Sequence, residues 1–304
     1  MARAPRTTHQ IVVIGAGIAG LAAATEAARC GLKTALFDDG LLGGLITNVG
    51  AVHGHPGQEG ATGADLVNAM LGEVLEAGVD YQPGAVSELT SLGSHWSLPA
   101  NGATALRVIL ATGAELRTLD VPGEEQLTGR GVSQCAFCDG GLYKGRDVAV
   151  VGGGDAAFQE ALHLAELCAN VTMILRGRKS RARPTFVRQA ADLGNMHFRW
   201  NTDVQEIMGD DGVDAVRLKG QDGGEEEILS ISAIFPFIGL APRTALAPEQ
   251  AKRDNHGGLV VDLGMQTDQD GLYAIGAARA GHGGQVAHAI ADAKSAAQAA
   301  WRSI

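Results

Sequence analysis

The stretch Ile11-Val12-Val13-Ile14-Gly15-Ala16-Gly17-Ile18-Ala19-Gly20 decides the fold. Its four leading β-branched residues read as a strand buried on both faces, the pattern of a parallel sheet. The strand runs straight into a glycine fingerprint and an alanine-rich helix that stops near Gly31, and a second strand, Lys33 to Phe37, ends at Asp38. Each glycine has a separate reason to be there: Gly15 permits the tight turn, Gly17 lets the backbone approach a pyrophosphate, and Gly20 lets helix and strand pack closely. The helix N-terminus adds unpaired N–H donors and a favourable dipole for phosphates. Asp38, 23 residues after Gly15, stands where an acid would bind the ribose 2'-hydroxyl of an adenosine.

The pattern returns further along the chain. The strand Val148-Ala149-Val150-Val151 enters Gly152-Gly153-Gly154-Asp155-Ala156-Ala157, a helix runs to about Cys168, and a strand from Val171 to Leu175 ends in Arg176. A basic residue at this point accommodates a 2'-phosphate that an acid would repel, and alanine in the third glycine position, Ala157, is compatible with a dinucleotide turn. Arg178, Arg181 and Arg183 thicken the basic cluster. The two units therefore suit different nucleotides: FAD on Gly15, Gly17, Gly20 and Asp38, and NADPH on Gly152, Gly154, Asp155, Ala157, Arg176, Arg178 and Arg181.

Beyond the second unit, Ala215 to Leu218 and Ile228 to Phe235 read as antiparallel strands, and Ile234 to Gly239 as a buried strand meeting a turn. A last apolar strand, Gly271 to Gly276, leads through a glycine-rich loop to a C-terminal helix of mostly alanine, which needs a partner surface. The expected architecture is α/β, with two Rossmann-like (three-layer ββα) nucleotide-binding domains, the second inserted in the first. Residues 1–115 and 242–304 form the FAD-binding domain; residues 116–241 form the NADPH-binding domain.

Composition narrows the classes of function. The 304 residues carry a formal charge of -10, which argues against a nucleic-acid groove or an anionic membrane surface as the main partner. Glycine supplies 43 residues, about twice the usual share of ~7%, as many tight turns and close approaches demand. Arg3 and Arg6 precede an uncharged stretch from Ile11 to Thr25 that has the outline of a secretion signal, but cleavage there would destroy the fingerprint. No apolar run reaches the ~20 residues of a membrane span, so a cytoplasmic protein is expected. Four cysteines are too few for a secreted disulfide scaffold. Cys30 and Cys168, near predicted helix ends, read as small core residues.

Cys135-Ala136-Phe137-Cys138-Asp139 differs. Two intervening residues let the sulfurs bridge, and this spacing commonly depresses a thiol pKa toward ~7. No second CxxC and no paired histidines supply further zinc ligands, so redox chemistry is the expected use and no metal is expected. His53 and His55, in a glycine-proline loop, read as a solvated turn. A carboxylate at Asp139 suits the proton transfer that accompanies thiol exchange.

The run from Gly131 to Gly140 resembles the active-site segment of low-molecular-weight bacterial thioredoxin reductases, and Gly15 to Gly20, Ala111-Thr112-Gly113-Ala114, Gly152 to Glu160, Arg176 with Arg181, and the ending around Gln285 follow that family's order. The resemblance implies a homodimer holding FAD and NADPH in separate domains, with the cysteine pair carried by the NADPH domain and a domain rotation presenting each in turn to the flavin. It also implies that Cys138 lies nearest the flavin, that Cys135 attacks the partner's disulfide, and that Asp139 is the proton donor. Gly44, Thr112, Gly113, Gly276 and Gln285 join the FAD set on the same ground. Three departures stand out: Ala277 replaces an Asp after Gly276, Gly43-Gly44-Leu45-Ile46 lacks a glutamine, and Leu175-Arg176-Gly177 keeps one of two arginines.

The expected activity is transfer from NADPH through FAD to the Cys135/Cys138 disulfide and on to thioredoxin or a thioredoxin-like protein. Arg130, Lys144 and Arg146 would suit an acidic partner of that kind. A dithiol oxidase using oxygen without a nicotinamide remains an alternative, as does a non-catalytic flavin-binding protein.

Overall fold

The computed structural model describes residues 7–40, 42–52, 60–221, 223–224 and 226–304, and His53 and His55 lie outside them. The chain divides into two compact units, Met1–Glu115 with Ala241–Ile304, and Leu116–Leu240.

In the first unit, strand His9–Ile14 lies between Thr34–Asp38 and Ala103–Leu110, parallel to both. Asp80–Pro83 extends the sheet on one side, and Leu272–Ala274 pairs parallel with the end of Ala103–Leu110. Alternation along the strands feeds two cores. Ile11, Val13, Leu36 and Ile109 face one, and Val12, Ile14, Phe37 and Leu110 face the other. Helix Ile18–Arg29 and the C-terminal helix Val286–Arg302 share the first core through Ala23, Ala24 and Ala27 on one and Ala289, Ala293, Ala296, Ala297 and Ala300 on the other. The alanine-rich terminal helix thus finds its partner surface on the helix of the first fingerprint, where small side chains on both sides let backbones approach closely.

In the second unit, a parallel sheet runs in the order Met196–Trp200, Asn170–Leu175, Asp147–Val151, Ala233–Pro236. Helix Asp155–Leu167 covers one face through Ala157, Phe158, Ala161 and Leu164. An antiparallel sheet of Thr202–Met208, Ala215–Gly220 and Glu226–Ser230 supplies Val204, Ile207, Val216 and Leu218 to the other face, against Ala149, Val151, Ile174 and Ile234. Helix, parallel sheet and antiparallel sheet make the three layers. No helix among the described residues is long and apolar enough to cross a membrane.

Two local readings change. The single strand expected from Ile228 to Phe235 is two: Glu226–Ser230 in the antiparallel sheet, and Ala233–Pro236 paired parallel with Asp147–Val151. The intervening Ile231-Ser232 breaks the ladder, because the Ser232 N–H donates to the Asp147 carbonyl instead. Cys168 is buried, but Cys30 caps its helix half-exposed rather than in the core.

Gly15 and Gly20 are both forced by backbone proximity. A β-carbon on Gly15, whose φ is +104°, would stand 2.3 Å from the Ala111 carbonyl oxygen, and one on Gly20 would stand 1.7 Å from that of Gly15. Gly20→Ala is therefore expected to force helix and strand apart and to destabilise the first unit by about 3 kcal/mol or more, read as a fall in Tm of several degrees. An unchanged Tm would contradict this packing.

Candidate functional site

In the first unit, the turn Gly15–Gly17 leaves the carboxyl end of its strand, the edge at which open α/β sheets bind ligands. Gly17 caps helix Ile18–Arg29 with no side-chain capping bond, so first-turn N–H groups remain to be satisfied from outside the helix. Among the described residues beyond its chain neighbours, a β-carbon on Gly17 would meet the Gly43 carbonyl oxygen at 3.7 Å and nothing nearer, which leaves that face open for close approach. Asp38 accepts from the Ala16 N–H at 2.5 Å and from the Gly40 N–H at 2.8 Å, tying the acid to the turn. The Gly43 N–H donates to the Ala16 carbonyl at 2.9 Å and brings Gly44 alongside.

Gly276 closes the same edge: a β-carbon there would meet the Ala19 methyl at 2.8 Å. Thr112 and Gly113 follow strand Ala103–Leu110, where the Thr112 hydroxyl donates to the Arg243 carbonyl at 2.5 Å and the Gly113 carbonyl accepts from the Arg243 N–H. Gln285 caps the C-terminal helix without a side-chain capping bond.

Two residues here escape the sequence reading. Buried Asp292 accepts from the Gly276 N–H at 3.1 Å and from Arg279 at 2.7 and 2.9 Å. Its charge-assisted bonds fix the turn after the last strand. Its sequence signal was a lone acid on the alanine face of a helix.

In the second unit, Gly154 caps helix Asp155–Leu167, again with no side-chain capping bond, and among the described residues beyond its chain neighbours no atom lies within 4 Å of where its β-carbon would be. Ala157 is fully buried beneath the turn. The basic loop is pinned onto that turn, since the Arg181 N–H donates to the Gly153 carbonyl at 2.8 Å and the Ser180 hydroxyl donates to it at 3.1 Å. Arg176, Arg178 and Arg181 are exposed at the strand end. Asp155 is engaged by Arg183, accepting from its N–H and Nε at 2.7 Å each. An uncapped helix start, an open glycine face and neighbouring guanidinium groups fit a phosphorylated dinucleotide.

The cysteine segment lies in the same unit. Cys135 and Cys138 are joined by a disulfide; Cys138 is exposed and Cys135 half-buried. Cys135 starts the short helix Ala136–Asp139, and its sulfur accepts from the Cys138 N–H at 3.1 Å. Ser133, which the sequence reading missed, links both halves of the turn: its hydroxyl donates to Asp139 at 2.6 Å and accepts from the Cys135 N–H at 3.1 Å. Burial and, after it, the charge of Asp139 push the Tyr143 phenol up. Phe137 is half-exposed between the cysteines, its ring 5.7 Å from that of His163. Among the described residues no cluster of three or more His, Cys, Asp or Glu could hold a metal ion.

Residues 9–293 match the family model described as pyridine nucleotide-disulphide oxidoreductase. The chain belongs to this family. It is flavin-dependent, which makes the chain an FAD-dependent disulfide oxidoreductase working with a pyridine nucleotide. The chain is 36% identical over 299 residues to the thioredoxin reductase of Listeria innocua, covering 97% of this chain and 94% of the relative. It is 36% identical over 300 residues to that of Treponema pallidum, covering 97% and 96%. Among solved structures, Lactococcus lactis thioredoxin reductase in its FR conformation superposes with a TM-score of 0.93 at 32% identity, over 97% of this chain and 98% of that one.

Ser133→Ala removes one charge-assisted bond and one backbone bond from the redox turn. We expect it to lower stability by about 1–3 kcal/mol and to slow disulfide turnover while leaving FAD content unchanged, as absorbance per chain would report. Unchanged turnover would show that Ser133 does not hold Asp139 in place.

Proposed function

We propose that this chain is an NADPH-dependent thioredoxin-disulfide reductase. The observation that carries the reading is a Cys135–Cys138 disulfide built into the same unit as a glycine turn with exposed arginines at its rim. The Listeria and Treponema relatives are named thioredoxin reductases, which points the same way.

When bound, the flavin supplies a two-electron relay between the nicotinamide and the disulfide. Gly15, Gly17, Gly20, Asp38, Gly44, Thr112, Gly113, Gly276 and Gln285 hold FAD in the domain formed by residues 1–115 and 242–304. Gly152, Gly154, Asp155, Ala157, Arg176, Arg178 and Arg181 hold NADPH in the domain of residues 116–241. Asp155 acts indirectly there, by anchoring Arg183. Arg176, Arg178 and Arg181 recognise the 2'-phosphate, which requires guanidinium forks rather than an acid.

Once reduced, the Cys135 thiolate attacks the partner's disulfide and forms a mixed disulfide. Cys138 then attacks the Cys135 sulfur, releasing the partner as a dithiol and restoring the intramolecular bond. Asp139 holds and moves the proton at the Cys138 sulfur, kept in position by the Ser133 hydroxyl. The working form is a cytoplasmic homodimer.

Cys138→Ser is expected to accumulate a mixed disulfide between Cys135 and thioredoxin, seen by mass spectrometry, whereas Cys135→Ser is not; the reverse pattern would exchange the two roles, and no adduct with either variant would remove thioredoxin as the partner. The double variant Arg176→Ala with Arg181→Ala is expected to raise KM for NADPH at least ~10-fold, a loss of about 1–3 kcal/mol. KM for NADH should stay within about twofold. Equal effects on both nucleotides would contradict 2'-phosphate recognition by these arginines.

A further inference from the structure

Glu160 sits on helix Asp155–Leu167, among buried Ala157, Ala161 and Leu164, and belongs to no role derived above. Its carboxyl accepts hydrogen bonds from the backbone N–H groups of Ala136 and Phe137, the two residues that separate the redox cysteines. Its Oε2 is buried and has no hydrogen-bond partner among the described residues. An ionised carboxylate with an unpaired buried oxygen is costly, so one would not expect this arrangement to serve only as a helix cap. Burial raises its carboxyl above the usual range, and the two donors pull it part of the way back.

The elements packed against this helix carry Asp139 and Tyr143 from the cysteine segment and its continuation, Asp147 from the neighbouring strand and Arg188 from helix Pro184–Ala191, while Asp155, His163 and Glu166 share the helix of Glu160 itself. None of these supplies Oε2 with a bond.

We propose that Glu160 takes up a proton when the Cys135–Cys138 disulfide is reduced and releases it when the pair is reoxidised. The inference rests on the reading of these cysteines as the redox pair. Two electrons, derived from NADPH in the enzyme, break the S–S bond. One proton completes a thiol, the other sulfur remains a thiolate, and a second proton neutralises Glu160 through Oε2. Transfer of the electron pair to a partner disulfide reverses each change, and both protons leave. The physical driver is repulsion: a carboxylate against the turn that carries a new thiolate makes both anions unfavourable in a partly desolvated site, and the proton relieves it. Glu160 is a positioning residue in this scheme, since it touches the backbone of the turn and acts on the sulfurs through charge.

Glu160→Gln keeps an acceptor for both N–H groups and removes the charge. In the flavin-loaded protein, equilibrated anaerobically with dithiothreitol redox buffers and read by alkylation of free thiols, the variant's pair is expected to lie further toward the dithiol than the wild type by roughly tenfold at pH 8. The difference should narrow as pH falls, because a protonated Glu160 and a glutamine carry the same charge. A constant ratio across pH 6–8.5, or none, overturns the proposal even if the pair cycles normally. A pair that dithiothreitol cannot reduce in either protein sinks the redox reading, and this inference with it. Should the variant fold poorly, redox-difference infrared spectra of the wild type and of Asp139→Asn must both gain a protonated-carboxyl stretch on reduction; its absence from either overturns the assignment.

Discussion

Backbone atoms meeting backbone atoms where a parallel strand turns into a helix is the constraint on which the rest of the structure depends. At Gly15 and Gly20 the separations leave no room for a side chain, and Gly152 repeats the arrangement, where a β-carbon would lie 2.3 Å from the Phe237 carbonyl oxygen. Because the strands are buried on both faces, the turn cannot drift along the sheet. The uncapped helix start is therefore held at a fixed place on the sheet's carboxyl edge. The geometry that phosphate recognition would need is thus already imposed by packing.

The second unit joins this constraint to sulfur chemistry along one helix. Its first turn carries Asp155, which fixes Arg183, and little more than one turn later Glu160 meets the backbone between the two cysteines. Nucleotide turn and redox turn are thus positioned by a single rigid element, with Ser133 and Asp139 arranging the other side of the cysteine segment. Precision at the sulfurs comes from hydrogen bonds to a short helix that is itself only four residues long. Those bonds compensate for a segment too short to be stable as an independent helix.

The sequence made the architecture legible where spacing alone carries the physics. Two glycine fingerprints, each between apolar strands, indicated two Rossmann-like domains, and the CxxC segment announced its chemistry without any tertiary information. What it hid depends on contacts between distant residues. Ser133, Glu160, Arg279 and Asp292 are ordinary residues in their own segments, and they matter through partners that folding brings to them. The burial pattern offered a hint for Glu160, which follows Ala157 by three positions and so lies on the packed side of its helix. The split at Ile231-Ser232 was hidden for another reason: strand periodicity continues across the break, while the hydrogen-bond partner changes from the antiparallel to the parallel sheet.

The central claim is that electrons from NADPH reach the Cys135–Cys138 bond. Counting accessible thiols in the denatured, anaerobically prepared protein before and after a small excess of NADPH tests it most directly. The account predicts two additional thiols per chain, none of them gained when Cys135 and Cys138 are both replaced by serine. A count unchanged by NADPH while the flavin bleaches would contradict it.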